Sequence, residues 1–224
     1  SYLLNGVFLL ILASILLVGC KKTEKVEKSI VSVKGSDTMV NLSQKWAESY
    51  MKKNATASIQ VTGGGSGTGI AALLNGTMDI ANASRELKQK EYDKAKELGI
   101  YPQEFKVALD GIAIIVNVDN PINELTVDQL RDLFIGKTQN WKEIGGKDSP
   151  ITLYGRENSS GTYEFFKDKV LGKDERGKTR DFATTTQVLQ GTAALGEAVA
   201  RDTKGVGYGG VGYFAARNDV KILR

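Results

Sequence analysis

Residues Ala57–Leu87 read ASIQVTGGGSGTGIAALLNGTMDIANASREL. The apolar run ASIQV gives way to a glycine-rich loop, then to IAALLNG, then to a second apolar run, MDIANA. This order predicts strand, loop, helix and strand, with the helix stopped at Asn75-Gly76. Alternation of this kind is the pattern of an α/β protein. It sets the glycine loop between a strand and a helix, at the carboxyl end of the strand, where ligands bind in open α/β sheets.

The same alternation extends in both directions. SIVSV reads as the preceding strand, GSDTM as a turn, and VNLSQKWAESYMKK as a helix whose Leu42, Trp46 and Tyr50 recur four apart on one face. Ser84 and Arg85 stand at the entrance to a charged helix, ELKQKEYDKAKELG, closed by Gly99. FKVALDGIAIIVNVDNP predicts a strand pair interrupted at Asp110-Gly111, a crossing point between two lobes. Thr126 and Gln129 have capping-box spacing before VDQLRDLFIG. NWKEIGG is a turn-rich connection, and ITLYG is a strand leading through GRENSSGT into the helix TYEFFKDKV. The last third holds the helix TAALGEAVARD, a buried strand GVGYGGVGYF and a closing strand VKILR.

The 224 residues are 41% hydrophobic and 25% charged, enough for one large or two small folded domains. The net charge of +4 comes from interspersed signs, and no basic run or basic-aromatic stripe points to nucleic acid. Histidine is absent and Cys20 is the one cysteine, which excludes Ser-His-Asp and Cys-His catalysis, most zinc sites and internal disulfides. A binding protein without metal or cofactor is expected, not an enzyme.

VFLLILASILLV (Val7–Val18) is too short to span a bilayer comfortably and suits a signal-peptide core. It ends in Leu17-Val18-Gly19-Cys20, which resembles a bacterial lipobox with Cys20 as the lipidated first residue of the mature chain. A transmembrane anchor is the alternative, and both imply export. KKTEKVEK suits a flexible tether. The expected division is a leader over 1–20, a tether over 21–30, a first lobe over 31–109 plus 214–224, and a second lobe over 110–213. The chain opens without Met and stops in mid-strand, so further sequence is expected at both ends.

Three loops share one chemistry. GSDTM (Gly35–Met39), GGGSGTG (Gly63–Gly69) and GRENSSGT (Gly155–Thr162) each join a strand to a helix. A helix N-terminus offers unpaired N–H groups and a partial positive charge, glycine lets the backbone close on a ligand, and hydroxyls add donors. Any one loop reads equally well as a helix cap; three together point to an anion site. GGGSGTGI lacks the Lys-Ser/Thr end of a nucleotide P-loop and the spacing of a dinucleotide or nucleophile-elbow motif. Without histidine, Ser66 or Ser160 has no ordinary base to make it a nucleophile.

In order, GSDTM…KWAESYMKKN, VTGGGSGTGIAALLNGTMDIANASREL, GIAIIVN, LFIGKTQNWKEIGGKD, GRENSSGTYEFF and GVGYGGVGYF resemble the phosphate-binding proteins of bacterial phosphate ABC importers, over Val31 to Arg224. The resemblance implies a type II periplasmic-binding-protein fold: two α/β lobes, joined by a hinge, closing on one dehydrated phosphate. Family members continue past Arg224, and the further part would complete the first lobe. The partners implied are inorganic phosphate, a membrane permease and the membrane itself through Cys20, for a monomeric protein. The family's motif positions fall on Asp37, Thr38, Ser66, Arg156, Ser160, Gly161 and Thr162, and the wider loop set adds Ser36, Gly67, Thr68, Ser84, Arg85 and Ser159. Many members have Ser-Asp after the third strand, the Asp accepting the phosphate proton; here the pair is Ser84-Arg85, which leaves Asp37 as the nearest acceptor. Arg85 faces the ligand or pairs with Asp37 or Asp110, and Asp110 reads as hinge structure. Arg156 is expected to grip two phosphate oxygens in a fork. Sulfate or molybdate binding, a secreted phosphatase, and an adhesin or signalling lipoprotein are the rival functions.

Overall fold

The computed structural model describes residues 29–224. The leader, Cys20 and most of the tether lie outside the described residues. Strands are β1 Ser29–Gly35, β2 Ala57–Thr62, β3 Ile80–Asn82, β4 Ile112–Asn117, β5 Thr152–Arg156, β6 Gln187–Leu189, β7 Gly205–Gly210 and β8 Val220–Ile222. Helices are α1 Val40–Lys53, α2 Ser66–Leu74, α3 Gln89–Glu97, α4 Val127–Phe134, α5 Gly161–Phe166, α6 Gly191–Arg201 and α7 Val211–Phe214. The strands form two sheets, a parallel β2-β1-β3 and a mixed five-stranded β6-β5-β7-β4-β8. The α/β, two-lobed class is as expected.

In the second lobe the period-2 patterning decides which layer each side chain joins. Val116, Leu153, Val206 and Tyr208 face a core with Leu133, Phe134, Trp141 and Phe166, while Ile115 and Tyr154 face Leu195, Val199 and Phe214 across the sheet. The alternation GVGYGG in β7 puts glycine on the side where α6 packs: a Cβ on Gly207 would meet Leu195 Cδ2 at 2.7 Å. Phe134 is fully buried and packs edge-on against Phe166 at 4.9 Å and Tyr208 at 5.6 Å. Phe134→Ala is expected to destabilise this lobe by about 3–5 kcal/mol. The check is urea unfolding, with a lower midpoint at unchanged m-value.

Four features of the first lobe were not legible in the sequence. In α1 the buried residues are Ser43 and Ala47, while Leu42, Trp46 and Tyr50 are exposed. The small residues let the helix lie close to the sheet, where Asn82 Nδ2 donates to Ser43 Oγ at 2.8 Å. The expected strand FKVALD forms no strand and is unpaired, with Phe105, Val107 and Leu109 exposed, so only β4 of the predicted pair forms. Finally, β8 pairs antiparallel with β4, and Phe214 and Val220 join the core beside α6. Residues 214–224 therefore lie with the second lobe, because β4 has a free edge there. β1 also begins at Ser29, inside the expected tether. Among the described residues no helix is long and apolar enough to cross a membrane.

Candidate functional site

The glycine loop enters α2 earlier than predicted: the helix begins at Ser66, so Ser66, Gly67 and Thr68 form its first turn. Ser66 is fully buried and does not cap the helix; its Oγ accepts from Ser84 N–H at 3.1 Å and shares a hydrogen bond with Ser84 Oγ, also at 3.1 Å. Ser36 likewise makes no capping bond, its hydroxyl pairing with Thr38 Oγ1 at 2.9 Å. At the third loop the capping reading holds, since Ser160 Oγ accepts from Tyr163 N–H at 3.2 Å, which leaves the hydroxyl proton free to donate.

All three loops meet. Gly65 N–H donates to Gly35 O at 3.0 Å and Gly64 N–H to Asp37 Oδ1 at 3.1 Å, tying the first loop to the second. Gly67 N–H donates to Ser159 O at 2.9 Å and Ser159 Oγ to Gly64 O at 3.3 Å, tying the second to the third across the lobes. The approach needs glycine. Gly65 has φ 89°, and a Cβ there would lie 2.6 Å from Ser159 O; a Cβ on Gly161 would lie 2.4 Å from Ser84 Oγ and 2.6 Å from Ser66 Oγ. Ser66, Ser84 and the start of α5 therefore converge on one point, beside the buried Thr162.

Arg156, 1% exposed, holds the centre. Its Nη2 donates to Asp37 Oδ2 at 2.7 Å across the lobes, and its Nη1 to Thr192 Oγ1 at 2.9 Å. Nε and Nη2 bond the two oxygens of buried Glu157 at 3.0 and 2.8 Å. The Nε/Nη2 edge of the fork grips Glu157, and among the described residues the remaining Nη1 proton has no acceptor. Beneath it, Tyr208 Oη accepts Arg156 N–H at 3.4 Å, and burial pushes that phenol up, keeping it protonated.

Arg85 is also corrected. It pairs with neither Asp37 nor Asp110; Nη1 and Nη2 each bond a Glu91 oxygen at 2.8 Å. Ser159 and Gly67 are spent on each other across the cleft. Thr68 sits in the first turn of α2, where its hydroxyl makes no hydrogen bond among the described residues. Asp110 accepts the N–H of Gly111, and its Oδ2 lies 2.9 Å from where a Gly210 Cβ would stand, in keeping with a structural part at the crossing. Glu157 and Thr192, which orient Arg156, escaped the sequence reading. The signal for Glu157 was its adjacency to Arg156; Thr192 had none, lying 36 residues away at the start of α6.

Comparison with known proteins gives a consistent answer. A family model described as a PBP superfamily domain matches residues 22–221. "Phosphate-binding protein PstS" of Pseudomonas aeruginosa is 34% identical over 209 residues, covering 88% of this chain and 62% of the relative. The protein of the same name in Bacillus subtilis is 37% identical over 170 residues, covering 75% and 55%. A crystal structure of a putative phosphate ABC transporter substrate-binding protein with bound phosphate, from Clostridium perfringens, superimposes with TM-score 0.76 at 31% identity, covering 88% of this chain and 75% of that one. The chain spans between 55% and 64% of the length of the curated relatives it matches. With the matched fold and the convergent loops together, the chain belongs to the PBP superfamily and, within it, to the PstS family.

Proposed function

We propose that this chain captures inorganic phosphate outside the cytoplasm and delivers it, without chemistry, to the membrane permease of an ABC importer. The observation that carries the reading is the convergence of three strand-to-helix loops on Arg156 and Asp37. Donors come from both lobes: Ser36, Thr38, Ser66 and Ser84 from the first, and Ser160, Gly161, Thr162 and the open Nη1 proton of Arg156 from the second. At the first turn of the nine-residue α2, N–H groups have no intrahelical partner and favour an anion.

The charge balance at the centre is informative. One cation, Arg156, stands against two anions, Asp37 and Glu157, so attraction rests on directed donors, not on excess positive charge. Micromolar affinity corresponds to about −8 kcal/mol, and charge-assisted hydrogen bonds contribute roughly 1.5–3 kcal/mol each. A handful is sufficient. Cys20 supplies the lipid anchor of a monomeric receptor, in this reading.

Calorimetric titration of the purified chain with phosphate, sulfate and molybdate tests this. Phosphate is expected to bind at about micromolar Kd or tighter, and sulfate and molybdate at least ~100-fold more weakly, about 2.7 kcal/mol. Absence of phosphate binding, or equal affinity for sulfate, would sink the reading.

A further inference from the structure

Glu164 lies in the first turn of α5, in the second lobe, half a turn past Thr162. Two cations of the first lobe reach it. Lys88 Nζ stands 2.7 Å from Glu164 Oε1, and Arg85 Nε stands 3.0 Å from Glu164 Oε2. Glu91, on α3, grips the other end of Arg85 and accepts the backbone N–H of Lys88 at 2.8 Å, so the Arg85 guanidinium and the backbone that carries Lys88 are fixed on their own lobe. Burial pushes the Glu91 carboxyl up, but the hydrogen bonds from Arg85 and Lys88 outweigh it and hold it below the ordinary range.

We propose that Glu164 with Arg85 and Lys88 is an ionic latch between the lobes, which stabilises the closed form and slows release of bound phosphate. The inference rests on the function proposed above for its ligand, and on geometry for its existence. Every other polar contact between the lobes described above comes from the binding loops: Asp37 to Arg156, and Gly64 and Gly67 to Ser159. The Glu164 group stands to one side of them, with its carboxylate already occupied by two cations. The buried Arg85 Nε–H is not aligned for a hydrogen bond despite the 3.0 Å separation. A contact made only in the closed form raises the population competent to hold ligand, and apparent affinity rises by the same factor. The effect falls on dissociation, because the latch must open for the anion to leave. The role also accounts for arginine after Ser84: at this position it joins two lobes and leaves the anion to its neighbours.

Glu164→Gln tests the latch with two readouts. In stopped-flow phosphate release, the variant is expected to dissociate about tenfold faster and bind about tenfold more weakly, equivalent to about 1.4 kcal/mol, with little change in association rate. Lys88→Gln should have a smaller effect, and the double variant should show less than the sum of the two, the mark of coupling. The second readout needs no ligand: spin labels at Lys52→Cys and Glu175→Cys, in a chain carrying Cys20→Ser, report the distance between lobes. Glu164→Gln is expected to shift that distribution to longer distances. An unchanged distribution in a folded variant overturns the latch, as does an unchanged dissociation rate. Should the wild-type chain bind no phosphate, the functional reading fails and the distance measurement still decides the latch.

Discussion

Arg156→Ala is expected to abolish phosphate binding at up to about millimolar ligand, the point at which binding free energy has fallen to roughly −4 kcal/mol. Two losses add. The open Nη1 proton goes, and so does the strut that holds Asp37 across the cleft, 2.7 Å from Nη2. The larger consequence is for the second lobe itself. Glu157 is buried beside Arg156, and truncation strands its carboxylate without a counter-charge, which costs about 3–5 kcal/mol of stability when one partner of a buried pair is removed. Arg156→Lys separates the effects. A lysine restores the charge against Glu157 but presents a single ammonium where the guanidinium meets Glu157, Thr192 and Asp37 at once. Stability is expected to return in large part while affinity stays at least tenfold weak. Thermal unfolding and calorimetry on both variants check this, and unaltered affinity in Arg156→Ala would remove the site as drawn.

That role for Arg156 also shows how far the sequence could be read. The loops were legible because strand, glycine-rich turn and hydroxyl form a local pattern, set by backbone chemistry within a few residues. The bounds of α1 and the Thr126–Gln129 capping box came out as predicted for the same reason. Arg156 was found as a residue but its protein partners were not, because they are decided by tertiary neighbours. Glu157 takes the bidentate face and Thr192 arrives from α6; neither fact has a local signature. Arg85 failed similarly. Its candidate partners were carboxylates of known interest, whereas the actual ones, Glu91 and Glu164, belong to ordinary-looking charged helical text. In the first lobe the apolar period of α1 was read correctly as a face, but the sheet selects the smaller Ser43 and Ala47 side, where helix and strands can approach. The alternation in FKVALD has strand character, but the segment pairs with none of the described strands.

Asp37→Asn is expected to weaken phosphate binding by tenfold or more and to narrow the preference over sulfate by at least about tenfold, 1.4 kcal/mol. Near neutral pH much of the phosphate is HPO₄²⁻ and carries a proton, whereas sulfate presents lone pairs alone. A carboxylate in the site accepts that proton from phosphate and repels sulfate, so discrimination comes from leaving a charge unpaired with the wrong anion. Asp37 is placed for this: Arg156 Nη2 and Gly64 N–H fix its two oxygens as acceptors, and its side chain is only 16% exposed. Asparagine keeps the shape but turns one acceptor into an NH₂. That group meets either the Arg156 guanidinium or the Gly64 N–H, donor against donor, and toward the ligand it can donate to sulfate as readily as to phosphate. Paired titrations with the two anions read the ratio directly. If both affinities fall by the same factor, Asp37 is a strut between the lobes and the selectivity resides elsewhere; if the ratio narrows, the acidic group that the family pattern places after β3 has its counterpart here at the end of β1.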